Sequence, residues 1–342
     1  MEWTVAVGID THKDGHVAVA LDRFGGQLDS FELPATSAGY LAFCQWAHEL
    51  GEPAFVVEGV GSYGAGLARF LASAGCVVYE CERPRRGERW RGKNDLIDAL
   101  LAARRLLSGE RLARPRGHGG RREDLRLLLL ERRSAVRART ATLNQLQAIV
   151  VTAPDRLRAR LGRGNGEQLS RKAARLRAAG GDEAVVRSVL RRLGRRVLNL
   201  DAELAQLDRE LEAIVSALAP ELLAECGVGP VCAAQLVVSS GDPARMVSEA
   251  SFAALAGTSP VDASSGRQRR HRLNRGGDRQ LNRALHMIAL SRIRGHDETA
   301  AYYQRLLTSG KTSREARRCV KRMLARYFHR KLKALPALAL TT

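Results

Sequence analysis

Residues 4–33 read TVAVGIDTHKDGHVAVALDRFGGQLDSFEL, and this stretch decides the fold. Thr4–Ile9 is a β-branched run that ends in Asp10. His16–Leu21 alternates apolar residues, and Phe24-Gly25-Gly26 turns the chain into Leu28–Leu33. Three antiparallel strands follow, because alternation assigns one set of side chains to each sheet face and the glycines permit a tight reversal. Working outward, Ser37 is placed to cap a helix running to about Leu50. Ala54–Val57 is a short buried strand ending in Glu58. Residues 62–74 read as a helix, Cys76–Glu80 as another strand and Asp95–Leu107 as a helix. The order β-β-β-α-β-α-β-α predicts an α/β domain with a mixed sheet over residues 1–113.

A three-strand meander followed by strands alternating with helices is the ribonuclease-H-like arrangement. In it, Asp10 ends the first strand and Glu58 the fourth, so side-by-side strands would present both at one end of the sheet. Asp95 and Asp98, three residues apart, share one helix face that can lie across that end. Four gathered carboxylates repel one another without a cation. Hard oxygen donors in that number suit Mg²⁺ or Mn²⁺, and two such ions about 4 Å apart can drive phosphoryl transfer. The plainer alternative makes each acid a surface residue or helix cap, Asp95 being a first-turn acid after Asn94.

Residues 114–120 form a linker of Arg, Gly, His and Pro, and residues 114–218 read as a basic helical region. Val186, Leu190, Leu193, Val197, Leu200, Leu204, Leu207, Leu211, Ile214 and Leu218 alternate four- and three-residue spacings, the a/d seam of a coiled coil. The seam can join two subunits or close an intrachain hairpin with 122–151, where Leu129, Val136, Leu143, Leu146 and Val150 can face it. The polar, Gly/Arg-rich segment 154–182 is expected to be a mobile connection. Residues 219–342 read as a small, mostly α domain. Its stretch Cys226–Val231, followed by Ala233–Val238, resembles the first half of a helix-hairpin-helix. There Gly227 and Gly229 would let backbone N–H groups approach a phosphate at a helix N-terminus.

The chain carries 56 Lys and Arg against 36 Asp and Glu, a net +20. Residues 1–113 are net −3, 114–198 net +15, 199–266 net −8 and 267–342 net +16. Two such concentrated blocks fit binding to a nucleic-acid polyanion, where each neutralised phosphate releases counterions. A membrane surface fits less well: no apolar run approaches the roughly 20 residues of a span and no lipidation motif accompanies the basic blocks. The first ten residues lack the pattern of a signal peptide, so a cytoplasmic, nucleoid-associated protein is expected. Cys44, Cys76, Cys81, Cys226, Cys232 and Cys319 show neither C-x-x-C nor zinc-finger spacing and read as reduced thiols.

Residues 255–285 read LAGTSPVDASSGRQRRHRLNRGGDRQLNRAL. Ser264 and Ser265 precede Gly266 and a basic run that includes Arg267, Arg269, Arg270, Arg272, Arg275 and Arg279. A serine hydroxyl is a poor nucleophile unless a base, a metal or a dense positive field stabilises its alkoxide. On the residues alone, a phosphate-binding loop is preferred to covalent attack by either serine.

Gly8-Ile9-Asp10-Thr11-His12-Lys13-Asp14, Val57-Glu58-Gly59 and Lys93-Asn94-Asp95-Leu96-Ile97-Asp98-Ala99 resemble the RuvC-like DEDD domain of the insertion-sequence-110 family of transposases, a group related to the Piv-type DNA invertases. Asn94 stands where that family usually has Ser or Thr. Residues 255–285 are similar to the same family's C-terminal domain, with its A-G-T-x-P, S-G and R-L-N-R-G-G-D-R-Q-L-N motifs. The resemblance covers about 5–105 and 220–295. It implies an enzyme that excises and inserts its own mobile element, with Asp10, Glu58, Asp95 and Asp98 as metal site. It implies a nucleophilic serine in the S-G pair, Ser265, with Ser264 as alternative. It also implies a composite site built from different subunits of a dimer or tetramer, and a non-coding bridge RNA pairing with donor and target DNA. Insertion and inversion share this chemistry. The rivals are a RuvC-like metal-dependent nuclease or junction resolvase, which needs the acids but no serine, and a non-enzymatic nucleic-acid scaffold indifferent to Mg²⁺.

Overall fold

In the computed structural model, β1 (Val5–Thr11), β2 (Gly15–Leu21), β3 (Gln27–Pro34), β4 (Pro53–Glu58) and β5 (Val77–Cys81) form one sheet in the order β3-β2-β1-β4-β5. β1 pairs antiparallel with β2, and β2 with β3, whereas the β1–β4 and β4–β5 pairs are parallel. β1 and β4 are buried along their whole length, which is why they read as near-continuous apolar runs. The structure describes residues 3–81, 94–110, 112–115, 119–162, 164–177, 181–241, 248–262, 271–272, 274 and 276–335. They belong to two compact units, Met1–His118 and Gly119–Thr342.

In the first unit, α1 (Ser37–Glu49) and α2 (Ala65–Ser73) cover one sheet face, over a core that includes Val7, Ile9, Phe43, Phe55, Val57 and Leu67. α3 (Asp95–Leu107) covers the other, its Ala99 and Ala103 against Ala6, Val19 and Leu21. The α/β order and the mixed sheet are those expected, and they are compatible with a ribonuclease-H-like domain. The cap of α1 falls one residue earlier than expected: the Thr36 side chain, not Ser37, accepts the Gly39 N–H.

The second unit is mostly helical. α4 (Gly120–Thr152) and α7 (Ala184–Leu218) lie antiparallel, with Arg132 paired to Asp208 at 2.5 Å and Arg139 paired to Asp201. Leu125 and Leu129 share a core with Leu211, Val215 and Leu218, while Leu146 and Val150 share another with Leu190. Of the two partners open to the leucine seam, the structure contains the one within the chain.

The segment 154–182, expected as a mobile connection, is packed helix for much of its length. It contains α5 (Asp155–Leu161) and α6 (Gly166–Ala174), which bury Leu157, Leu161, Leu169 and Ala173 against the α4–α7 hairpin. Its arginines hid a sparse apolar stripe and an Asn165–Gln168 capping box. α6 approaches α7 closely at Gly194, where a Cβ would lie 2.7 Å from both the Ala174 nitrogen and the Ser170 oxygen.

α8 (Pro220–Leu223), α9 (Pro230–Ser240), α10 (Glu249–Leu255), α11 (Arg279–Gly295), α12 (Asp297–Thr308) and α13 (Ser313–Ala334) follow, with a β6 (Val261–Asp262) and β7 (His271–Arg272) pair before α11. Residue 219 marks a change of local pattern rather than a break in packing: Leu211 and Val215 of α7 share one core with Leu236, Leu285 and Phe328. No described helix is long and apolar enough to cross a membrane.

Candidate active site

Strand period two places Ala6, Gly8 and Asp10 on the face of β1 that α3 covers. A Cβ on Gly8 would overlap the Ala99 carbonyl oxygen and the Ala103 amide nitrogen. Only glycine lets α3 settle this deeply, and that depth brings its first turn to the end of β1. Glu58 ends the adjacent parallel strand one position past the Ile9–Val57 pair. The Thr11 hydroxyl donates to the Glu58 carbonyl oxygen at 2.9 Å and ties the two strand ends together. Asn94 caps α3, its side chain accepting the Leu96 N–H. Ser, Thr and Asn all serve as N-caps, so the departure at this position keeps the geometry that aims Asp95 and Asp98.

Asp10, Glu58 and Asp98 are buried, and Asp95 is half exposed. His12 Nε2 lies 3.2 Å from Asp10 Oδ2 and 3.2 Å from Asp95 Oδ2. Donor atoms of Asp10, His12 and Asp95 all fall within 4.8 Å of one another. Among the described residues this trio is the group whose donor atoms lie close enough to share one cation. Burial pushes the Asp10 carboxyl above its ordinary range; His12 opposes the rise, and Asp95 and Asp98 add to it. Beside Glu58, Cys81 is pushed up to about 12, chiefly by burial, against the pull of Arg105 and with help from Glu58, Glu110 and Asp10. Buried, mutually repelling carboxylates with one nitrogen donor at their open side are a donor set that fits a divalent cation. His12 is the residue that sequence reasoning passed over, although it stands only two residues beyond Asp10.

The second set of expected residues divides differently. Ser264, Ser265, Arg267, Arg269, Arg270 and Arg275 lie outside the described residues. β6 and β7 pair antiparallel, Val261 with Arg272. Asp278 caps α11, accepting the Gln280 and Leu281 N–H groups, and also accepts the Ser239 hydroxyl. Asn282 Nδ2 donates to the Ala256 carbonyl oxygen at 2.7 Å, and Lys321 Nζ donates to Asn282 Oδ1 at 2.8 Å. Arg322 donates to the Ser259 hydroxyl at 2.8 Å. Gly277, at φ +84°, would drive a Cβ to 2.8 Å from the Ala254 oxygen. The A-G-T and G-G-D-R-Q-L-N motifs therefore clasp each other at the base of the segment that carries both serines.

Arg279 is exposed at the start of α11. Gly227, at φ +77°, is needed for packing, since its Cβ would meet Ser291 Cβ at 2.9 Å. Gly229 caps α9 in open space, and Pro230 at the first helical turn offers no N–H. Of the two glycines, Gly229 is the one free to face a phosphate.

Comparison with known proteins finds family matches on both the N-terminal and the C-terminal stretches. Residues 7–153 match a DEDD transposase family model of the IS110 type, and residues 220–304 match a model described as Transposase IS116/IS110/IS902 family. The chain is 25% identical to the 42 kDa protein of insertion element IS900 from Mycobacterium paratuberculosis, over 92% of each chain. It is 34% identical to the 43.6 kDa protein of insertion element IS110 from Streptomyces coelicolor, over 32% of this chain and 28% of that protein. With both family models matched in chain order and most of its length aligned to an insertion-element protein, the chain belongs to the IS110 family of transposases, enzymes that cleave and rejoin DNA.

Proposed function

We propose that this transposase excises and inserts its own mobile element by serine-mediated strand exchange, with Asp10, Glu58, Asp95 and Asp98 as its metal site. The observation that carries the reading is the meeting of Asp10 Oδ2 and Asp95 Oδ2, from a strand end and a helix start 85 residues apart, at His12 Nε2. Ser265 Oγ bonds to the scissile phosphorus as the bridging sugar oxygen leaves, and the serine proton ends on that oxygen. The products are a phosphoserine–DNA ester and a free hydroxyl end. A hydroxyl end of the new partner strand reverses the step and restores the serine, so joining needs no nucleotide triphosphate. A divalent ion held by the carboxylates supplies neutralisation of phosphoryl charge and activation of the attacking hydroxyl. Arg267, Arg269, Arg270 and Arg272 grip the phosphate, and Arg275, Arg279 and Gly229 extend the contact.

Basic blocks without a sequence-reading motif suit a partner that reads DNA by base pairing, so a non-coding bridge RNA is the proposed guide. The working form is a homo-oligomer, a dimer or tetramer.

The test is a denaturing gel after incubation with cleavable DNA and Mg²⁺. Ser265→Ala should trap no protein–DNA adduct, whereas Ser264→Ala should retain one. Asp10→Ala, Glu58→Ala, Asp95→Ala and Asp98→Ala should each abolish recombination while leaving nucleic-acid binding intact. An adduct lost only in Ser264→Ala moves the nucleophile by one residue. Absence of any adduct in the active parent protein makes the enzyme a metal-dependent nuclease instead.

A further inference from the structure

We propose that His12 is itself a ligand of the metal centre, and that its imidazole nitrogen makes the centre select Mn²⁺ over Mg²⁺. This rests on the metal-site reading above and adds to it the identity of the ion.

Three observations carry the proposal. The first is position. His12 follows Asp10 by two residues, just past the end of β1, and its ring meets the Asp10 carboxylate. Its backbone is anchored, the His12 N–H donating to the Gly15 carbonyl oxygen at 3.1 Å and reaching His16 Nδ1 at 3.3 Å. His16 is a firm support: it is buried and stacked on Tyr40.

The second observation is spacing. Nε2 stands 3.2 Å from one oxygen of Asp10 and 3.2 Å from one oxygen of Asp95. Together with the closeness of the two carboxylates, these distances let one nitrogen and two oxygens reach a single ion.

The third is donor chemistry. Mg²⁺ and Ca²⁺ take oxygen ligands, and Mg²⁺ gives up water reluctantly, whereas imidazole suits first-row transition ions. Asp10 and Asp95 add carboxylate oxygens, which suit Mg²⁺ and Mn²⁺ alike, so the imidazole nitrogen is the donor that separates the two ions. His12 and Asp95 are each about half exposed, with side-chain exposures of 48% and 47%, while Asp10 is at 7%. The nitrogen therefore sits on the open side of the centre, where a DNA phosphate oxygen would complete the coordination.

The experiment uses the full-length protein without DNA, stripped of divalent ions and titrated with Mn²⁺, with free aqua-Mn²⁺ followed by electron paramagnetic resonance. Mg²⁺ affinity is measured by competition. The bound-Mn²⁺ echo should carry the ¹⁴N modulation of a coordinated imidazole. His12→Ala and His12→Gln, checked for folding by circular dichroism, should lose that modulation. They should weaken Mn²⁺ about tenfold or more and Mg²⁺ by less than about twofold. Asp10→Asn should lose both ions. A parent spectrum without ¹⁴N modulation, modulation that survives in His12→Ala, or an equal loss of both ions overturns the proposal while Asp10→Asn still certifies the metal centre. A parent protein that binds neither ion overturns the metal-centre reading as well.

Discussion

Gly8 and Ala99 are in backbone contact across the interface of β1 and α3: a Cβ at position 8 would overlap the Ala99 carbonyl oxygen and lie 3.0 Å from the Ala103 Cα. Gly8→Ala must therefore lift α3 away from the sheet. Forced overpacking of this kind costs about 1–3 kcal/mol. The same displacement moves Asp95 and Asp98 away from Asp10, so DNA cleavage should fall far more than stability does. Thermal unfolding and a cleavage assay on the same preparation check this; a variant with unchanged melting and full cleavage would contradict the packing described.

Glu225 sits among Arg292 at 2.7 Å, Lys331 at 2.9 Å and the Tyr327 hydroxyl at 2.6 Å, tying the turn after α8 to α11 and α13. Burial tends to raise its carboxyl pKa, but the hydrogen bonds from Tyr327, Lys331 and Arg292 outweigh it, and the net shift is downward from 4.5. Its stabilisation is thus fully present above 4.5 and is lost as pH falls through the lowered value. Glu225→Ala leaves the nearly buried Arg292 without its carboxylate and should cost about 3–5 kcal/mol at neutral pH. Denaturant melts at pH 7 and pH 3 should show the gap between parent and variant shrinking at the lower pH.

Leu211 is fully buried between α7 and its neighbours. Leu211→Ala should cost about 2–5 kcal/mol, whereas Arg139→Ala, which removes a partly exposed ion pair, should cost at most about 1 kcal/mol. Leu200→Asp with Leu207→Asp should strongly destabilise the second unit, because it puts two charges into the apolar seam of α7, where Leu207 is buried. Sedimentation that shows clean folded monomers for the double variant would instead make the seam a subunit contact.

The basic blocks at 114–198 and 267–333 should give a steep salt dependence, with a slope near −0.9 per phosphate neutralised on duplex DNA. Neutralising Arg267, Arg269, Arg270 and Arg272 should flatten that slope and harm catalysis more than changes at 171–177. Filter binding across a salt series measures the slope; an affinity indifferent to salt would refute it.

The first unit was legible because its signals are local. The strand alternation of residues 4–33, the apolar run into Glu58 and the Asp95–Leu107 helix each carry their own periodicity. What stayed hidden were contacts between elements. Gly8 looked like one more small strand residue until α3 was seen against it. His12 shares a short stretch of sequence with Asp10, but a histidine declares a role only through what stands 3.2 Å away. The a/d spacing of α7 announced a seam without naming the helix that fills it. Asn282 and Lys321 meet across 39 residues, a pairing that no window along the chain contains.

The paired arginines and aspartates of α4 and α7 recur seven residues apart on both helices, Arg132 with Asp208 and Arg139 with Asp201. A hairpin braced at that interval is a ruler. Its two long helices can be shortened or extended only by matched insertions of seven residues, each moving the α5–α6 tip by about 10 Å. Lengthening one helix alone would misalign every rung beyond the cut, so evolution, or an engineer, can change the reach of this rod only in whole steps.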